Sequence, residues 1–198
     1  METGAKRAIL IIDVQKVYTN PASPLFCKEN EAVIERINQI VAKGQAAGDV
    51  IVHIRHQHRA DGSDAGHMFD FSGAAQDLGF VEGTDEAKDD PRLRLPDQVV
   101  AVTKQRYSSF VGTGLYEQLR AKGVGCIVVT GFMTNFCCEA TARHGHDLDF
   151  LVDLVLDATG CPDLSETATQ EVIKKMSAAT LSAGFARVMT TDDWLAQA

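Results

Sequence analysis

A three-layer α/β/α fold around a mainly parallel sheet of about six strands is predicted by two features of the sequence. Short apolar runs of strand length alternate with longer segments of helical period along the chain. Glycines at positions 48, 123 and 184 follow the helical segments directly, where a left-handed residue ends a helix.

The elements follow in order. Residues 7–14 form a first strand, nearly all apolar until Asp13. After a loop with Pro21 and Pro24, residues 31–47 place Val33, Ile37, Ile40 and Val41 on one helical face. Residues 50–54 are a second strand and 99–103 a third, which runs into Lys104. Residues 113–122 carry Leu115 and Leu119 at helical spacing. Residues 126–130 are a strand that stops at Gly131, and a helix is expected over 134–144. Another strand spans 150–155, and a long helix with Val172, Ile173, Met176 and Leu181 spans 165–183. A final strand covers 186–189, and Thr191 or Asp192 caps a terminal helix. The whole of 1–198 reads as one domain with no linker or repeat. The stretch 55–97, polar and rich in Asp and Gly, is too long for a plain connection. It reads as a lid, binding or interface segment with room for a short helix.

Three side chains stand where chemistry is placed in such folds. In open α/β sheets, ligands bind outside the carboxyl ends of the strands. Asp13 and Lys104 each end a strand, and Cys137 falls in the first turn of the helix after another. Parallel strands would bring an acid/base group, a cation and a nucleophile to one sheet edge. A helix N-terminus offers Cys137 unpaired N–H groups and the positive end of the dipole, which favour the reactive thiolate. Cys138 competes as nucleophile, but one helical step turns its side chain by ~100°, so the two cannot face one site.

Bulk properties narrow the function. The net charge of −8 argues against a nucleic-acid partner. No apolar run reaches the ~18 residues of a membrane span. The first residues carry no apolar signal core, and five cysteines without a CxxC pair suit a reducing cytoplasm.

The chain resembles the isochorismatase-like cysteine hydrolases, a superfamily that includes nicotinamidases, N-carbamoylsarcosine amidohydrolase and ureidoacrylate amidohydrolases. The resemblance rests on Ile11-Ile12-Asp13-Val14-Gln15, Thr103-Lys104 and Ser108-Ser109-Phe110-Val111-Gly112-Thr113. It continues in Gly131-Phe132-Met133-Thr134-Asn135-Phe136-Cys137, Thr141-Ala142-Arg143 and Asp157-Ala158. It implies a Rossmann-like sheet and a cysteine-dependent hydrolase of a small amide, carbamoyl or ureido compound. Asp13 would be the general base, Lys104 its charge partner, and Cys137 the nucleophile that forms a thioester. It also implies a cis peptide between Phe132 and Met133, with the Met133 and Cys137 N–H groups as oxyanion donors.

Substrate contacts are expected among Gln15, Phe26, His53, Arg55, Phe69, Tyr107, Phe110, Phe132 and Phe136. His53, His56, His58 and His67 invite a metal reading. Nicotinamidases, however, carry an Asp-x-His motif where this chain has His56-Gln57-His58, so neither metal nor cofactor is expected. His56, His58 and His67 could bind substrate instead. The expected partners are a small amide and further copies of the chain, with no nucleic acid or membrane. Two other readings stay open: an isochorismatase-type vinyl ether hydrolase, and a catalytically silent oligomeric binding or redox-sensing protein.

Overall fold

The computed structural model describes residues 5–71 and 79–197. Its strands are Lys6–Ile12 (β1), Val50–His56 (β2), Val100–Lys104 (β3), Val124–Phe132 (β4), Leu151–Gly160 (β5) and Arg187–Met189 (β6). They form one sheet in the order β3-β2-β1-β4-β5-β6, and every pairing is parallel. The helices are Asn30–Ala47 (α1), Leu115–Ala121 (α2), Glu139–Asp147 (α3), Gln170–Ser182 (α4) and Thr191–Leu195 (α5).

Side chains alternate across a strand, so β1 supplies two cores at once. Ile9 and Ile11 pack with Val33, Ile37 and Ile40 of α1 and Trp194 of α5. Ala8, Leu10 and Ile12 pack with Leu115 and Leu119 of α2, Ala142 of α3 and Leu181 at the end of α4. The Ile and Leu side chains of β1 are fully buried, and each such burial stabilises by about 1.5–3 kcal/mol. This double covering is why the strand reads as an unbroken apolar run.

The strand order has its reversal between β1 and β4. The chain leaves these neighbours in opposite directions and opens a crevice beyond their carboxyl ends, the ligand position of doubly wound sheets. Asp13 follows β1 at that crevice, and Cys137 follows β4.

Several boundaries differ from expectation. The helix after β4 starts as a π-helical turn, Thr134–Cys138, and α3 proper begins at Glu139. Before α4, Asp163 and Ser165 bind the Gln170 and Ala168 N–H groups, which holds 165–168 as a loop. Thr169 then caps α4 by accepting the Val172 N–H. The cap of α5 is Thr190, neither Thr191 nor Asp192, because Thr190 and Asp193 form a reciprocal capping box. The stretch 55–97 contains no helix among its described residues. It is tied down by single bridges between Gln15 and Asp89 and between His58 and Val81. Residues 72–78 of that stretch lie outside the described residues.

Candidate active site

Asp13, Lys104 and Cys137 converge. Lys104 Nζ lies 2.8 Å from Asp13 Oδ2 and 3.1 Å from Cys137 Sγ, and it donates to the Arg106 carbonyl at 3.1 Å. All three residues are buried. The Asp13 contact is close but not aligned as a hydrogen bond, so both carboxylate oxygens lack a well-aimed donor.

Local backbone explains the convergence. Asp13 has φ +53°, a left-handed conformation that turns the chain off the end of β1. Such a non-glycine position costs about 1–3 kcal/mol and is typical of functional sites. Gly131 has φ +114°, and a Cβ there would sit 1.9 Å from the Ile12 carbonyl oxygen. Only glycine lets β4 pass this close to β1 beside Asp13. The Phe132–Met133 peptide is cis. The π-helical turn follows, with the Cys138 N–H bonded to the Met133 carbonyl at 3.1 Å. π-turns of this kind recur at functional sites.

Burial sets the titration. It pushes the Cys137 thiol up to about 12, opposed by Lys104 and reinforced by Asp13. Desolvation of the buried sulfur thus works against the thiolate that a helix end favours. Burial also raises Asp13 above its ordinary value, with Lys104 pulling the other way. For Lys104 burial acts downward, but Asp13 and Cys137 outweigh it and hold the ammonium above its usual range. At both acids, then, burial and the Lys104 ammonium pull in opposite directions, and burial prevails.

A cavity of about 170 Å³ opens onto Cys137. Of the residues expected to contact substrate, Phe69, Tyr107 and Phe136 line it, together with His56. Tyr18, Leu25, Phe80, Met133 and Leu164 complete the wall. Met133 was expected only for its backbone N–H, and no local signal marked the other four, since an aromatic or leucine reads as ordinary packing until the fold is closed.

The other candidates sit elsewhere. Gln15 is a buried strap whose side chain bonds the His56 backbone N–H and the His56 and Ala87 carbonyls at 2.7–3.0 Å. Its capacity is spent on backbone. Leu25 takes the place at the cavity expected of Phe26. Phe132 stacks on Tyr18 at 5.2 Å behind the wall, and Phe110 packs on Phe150 at 5.8 Å in the opposite core. His53 is held by Asp89 at 3.0 Å. Arg55 lines a separate polar depression with Gln57, Arg59 and Glu82. Ser109 and Thr141 hydrogen-bond each other, which fixes the loop that carries Tyr107.

The four histidines do not gather on one ion. His56 and His58 meet at 2.8 Å through their Nε2 atoms, while His67 is exposed and paired with Asp70. Among the described residues, one cluster has ligand-capable atoms close together: Asp13, His56 and Cys137, within 4.8 Å of one another. The Lys104 ammonium already supplies the positive charge between two of them. A larger cavity, about 690 Å³, lies at the opposite end of the strands beside Gly125 and Leu151. Its arginines are engaged internally, Arg120 on the Leu148 carbonyl and Arg187 on Asp153.

Comparison with known proteins gives a consistent picture. The isochorismatase domain family model matches residues 7–193. An uncharacterized isochorismatase family protein of Bacillus subtilis, YrdC, is 30% identical over 94% of this chain and 93% of its own. Ureidoacrylate amidohydrolase RutB of Methylorubrum extorquens is 31% identical over 83% of this chain and 75% of its own. Maleamate amidohydrolase of Pseudomonas putida is 31% identical over 79% and 73%. The crystal structure of a cysteine hydrolase from Pseudomonas syringae superposes with a TM-score of 0.89, at 29% identity over 97% of this chain and 92% of that one.

Proposed function

The chain belongs to the isochorismatase family of hydrolases, and from that premise we propose that it hydrolyses a small amide, carbamoyl or ureido compound through a thioester on Cys137. The observation that carries the reading is Lys104 Nζ set between Asp13 and the Cys137 sulfur at 2.8 and 3.1 Å. The names of the similar amidohydrolases support the substrate class.

In this reaction Asp13 takes the thiol proton as sulfur attacks the carbonyl carbon. A thiol held near 12 stays protonated at neutral pH, so deprotonation accompanies attack. The Met133 and Cys137 backbone N–H groups take the oxyanion. The C–N bond then breaks, and Asp13 returns the proton to the leaving nitrogen. Water, deprotonated by Asp13, cleaves the thioester and restores the thiol. Lys104 keeps Asp13 ionised and balances charge in each state. The cavity's size and its Phe69, Tyr107 and Phe136 walls fit a small, flat acyl group.

The same proposal covers a single domain at work in the cytoplasm as a homo-oligomer. All five cysteines are unpaired, and Val172 and Met176, one turn apart on α4, leave apolar surface exposed. No helix among the described residues is long and apolar enough to cross a membrane. Ammonia release across a panel of small amides and ureido compounds tests the reading. Release that survives Cys137→Ala, or disappears with Cys138→Ala instead, would refute it.

A further inference from the structure

A chain of three side chains runs from the surface to the cavity. The Asp64 carboxylate accepts the Arg59 backbone N–H at 3.2 Å and lies 3.1 Å from His58 Nδ1. His58 Nε2 lies 2.8 Å from His56 Nε2. His56 Nδ1 is buried and has no partner. The His56 ring lines the cavity beside Cys137, stacked on Phe80 at 4.4 Å. One of its nitrogens is within 4.8 Å of an Asp13 oxygen and of Cys137 Sγ.

These contacts fix the tautomers. An ionised carboxylate can only accept, so His58 carries its proton on Nδ1. A neutral imidazole has one N–H, so His58 Nε2 is an acceptor and His56 Nε2 must donate to it. The single proton of His56 is then committed, and Nδ1 presents a bare lone pair. Both rings stay neutral: burial lowers each, and Lys104 and Arg106 press His56 the same way.

We propose that His56 Nδ1 is a fixed acceptor for an N–H of the substrate, so that the cavity selects primary or secondary amides and ureido compounds over esters and N,N-disubstituted amides of the same shape. This rests on the Cys137 reading above and narrows its substrate class. A site built around an unmatched polar group rejects analogues that lack the matching partner. It follows that His56 has no proton to give, and the leaving group must take its own from Asp13.

Two alkylating reagents of equal shape test this: N-methyl iodoacetamide, with an N–H, and methyl iodoacetate, with an oxygen there. Each rate at Cys137, located by peptide mapping, is divided by the rate with glutathione, so intrinsic reactivity cancels. The wild-type chain is expected to favour the amide by about tenfold after this correction, as one net hydrogen bond gives. His56→Phe keeps an aromatic ring but removes the acceptor, and should bring the ratio to within about twofold of glutathione's, since no hydrogen bond remains. Asp64→Lys, at a partly exposed site outside the cavity wall, replaces the acceptor with an ammonium that can only donate, so His58 Nδ1 must accept and both tautomers reverse. It should abolish the amide preference or turn it toward the ester. This variant decides the matter if His56→Phe does not fold. A wild-type ratio equal to glutathione's, or a preference unchanged in the variants, would overturn the His56 assignment and leave Cys137 in place. Labelling that maps away from Cys137 would overturn both.

Discussion

Replacing Lys104 with Met removes a buried ammonium while keeping most of the unbranched stem. Asp13 and Lys104 are both fully buried, with 2.8 Å between their charges. Removing one partner of such a pair leaves an uncompensated charge and costs about 3–5 kcal/mol. Asp13 can escape that cost by taking a proton. Its pKa, already raised by burial, would rise further once the opposing Lys104 is gone. A carboxyl whose folded pKa exceeds the unfolded value favours the folded state most below the unfolded pKa. That advantage is lost as pH rises through the folded pKa. The variant should therefore be weakest relative to wild type at pH 8, and its deficit should shrink by about 1.4 kcal/mol per pH unit on descending below the new Asp13 pKa. Denaturant unfolding at pH 5, 6.5 and 8 reads this directly. Turnover should fall by at least about a hundredfold, because the base is then protonated at neutral pH. A variant as stable as wild type at pH 8, or active within tenfold of it, would refute the buried-pair reasoning.

Four further outcomes are expected. Gly131→Ala should destabilise by at least about 3 kcal/mol or prevent folding, because its Cβ would meet the Ile12 carbonyl at 1.9 Å; thermal unfolding measures it. The acid limb of kcat/KM should fall above the ordinary carboxylate range, since the raised Asp13 must be ionised to act, and Asp13→Asn should abolish that limb along with turnover. Unliganded Cys137 alkylation should keep climbing well above pH 9, toward the value of about 12 set by burial. Extensive chelation should leave activity intact, since the Lys104 ammonium supplies the cation at the site; activity that is lost and restored only by added zinc or iron would contradict this.

The sheet and the meeting of Asp13, Lys104 and Cys137 were legible because both depend on local pattern. A short unbroken apolar run such as 8–12, rich in isoleucine, reads as a doubly covered strand, and its carboxyl end places Asp13. The cavity wall was not legible, because it depends on pairings distant in sequence. Gln15 could have faced a ligand, but its partners lie 41 and 72 residues away. Phe132 and Met133 are adjacent, yet Phe132 packs behind the wall while Met133 lines it. Nothing in composition distinguishes them. The burial that raises the Cys137 thiol was not legible for a related reason: a helix end is visible in sequence, whereas the enclosure of Cys137 by Tyr18, Tyr107 and Phe136 arises only on folding.

The central claim is a covalent acyl group on Cys137. Intact-mass measurement of the enzyme, quenched in acid during turnover of a slowly hydrolysed amide, tests it without assuming the natural substrate. The expected result is a mass increase equal to the acyl fragment, mapped to the peptide that holds Cys137 and absent in Cys137→Ala. Turnover with no adduct, an adduct on another residue, or hydrolysis retained by Cys137→Ala would contradict the account.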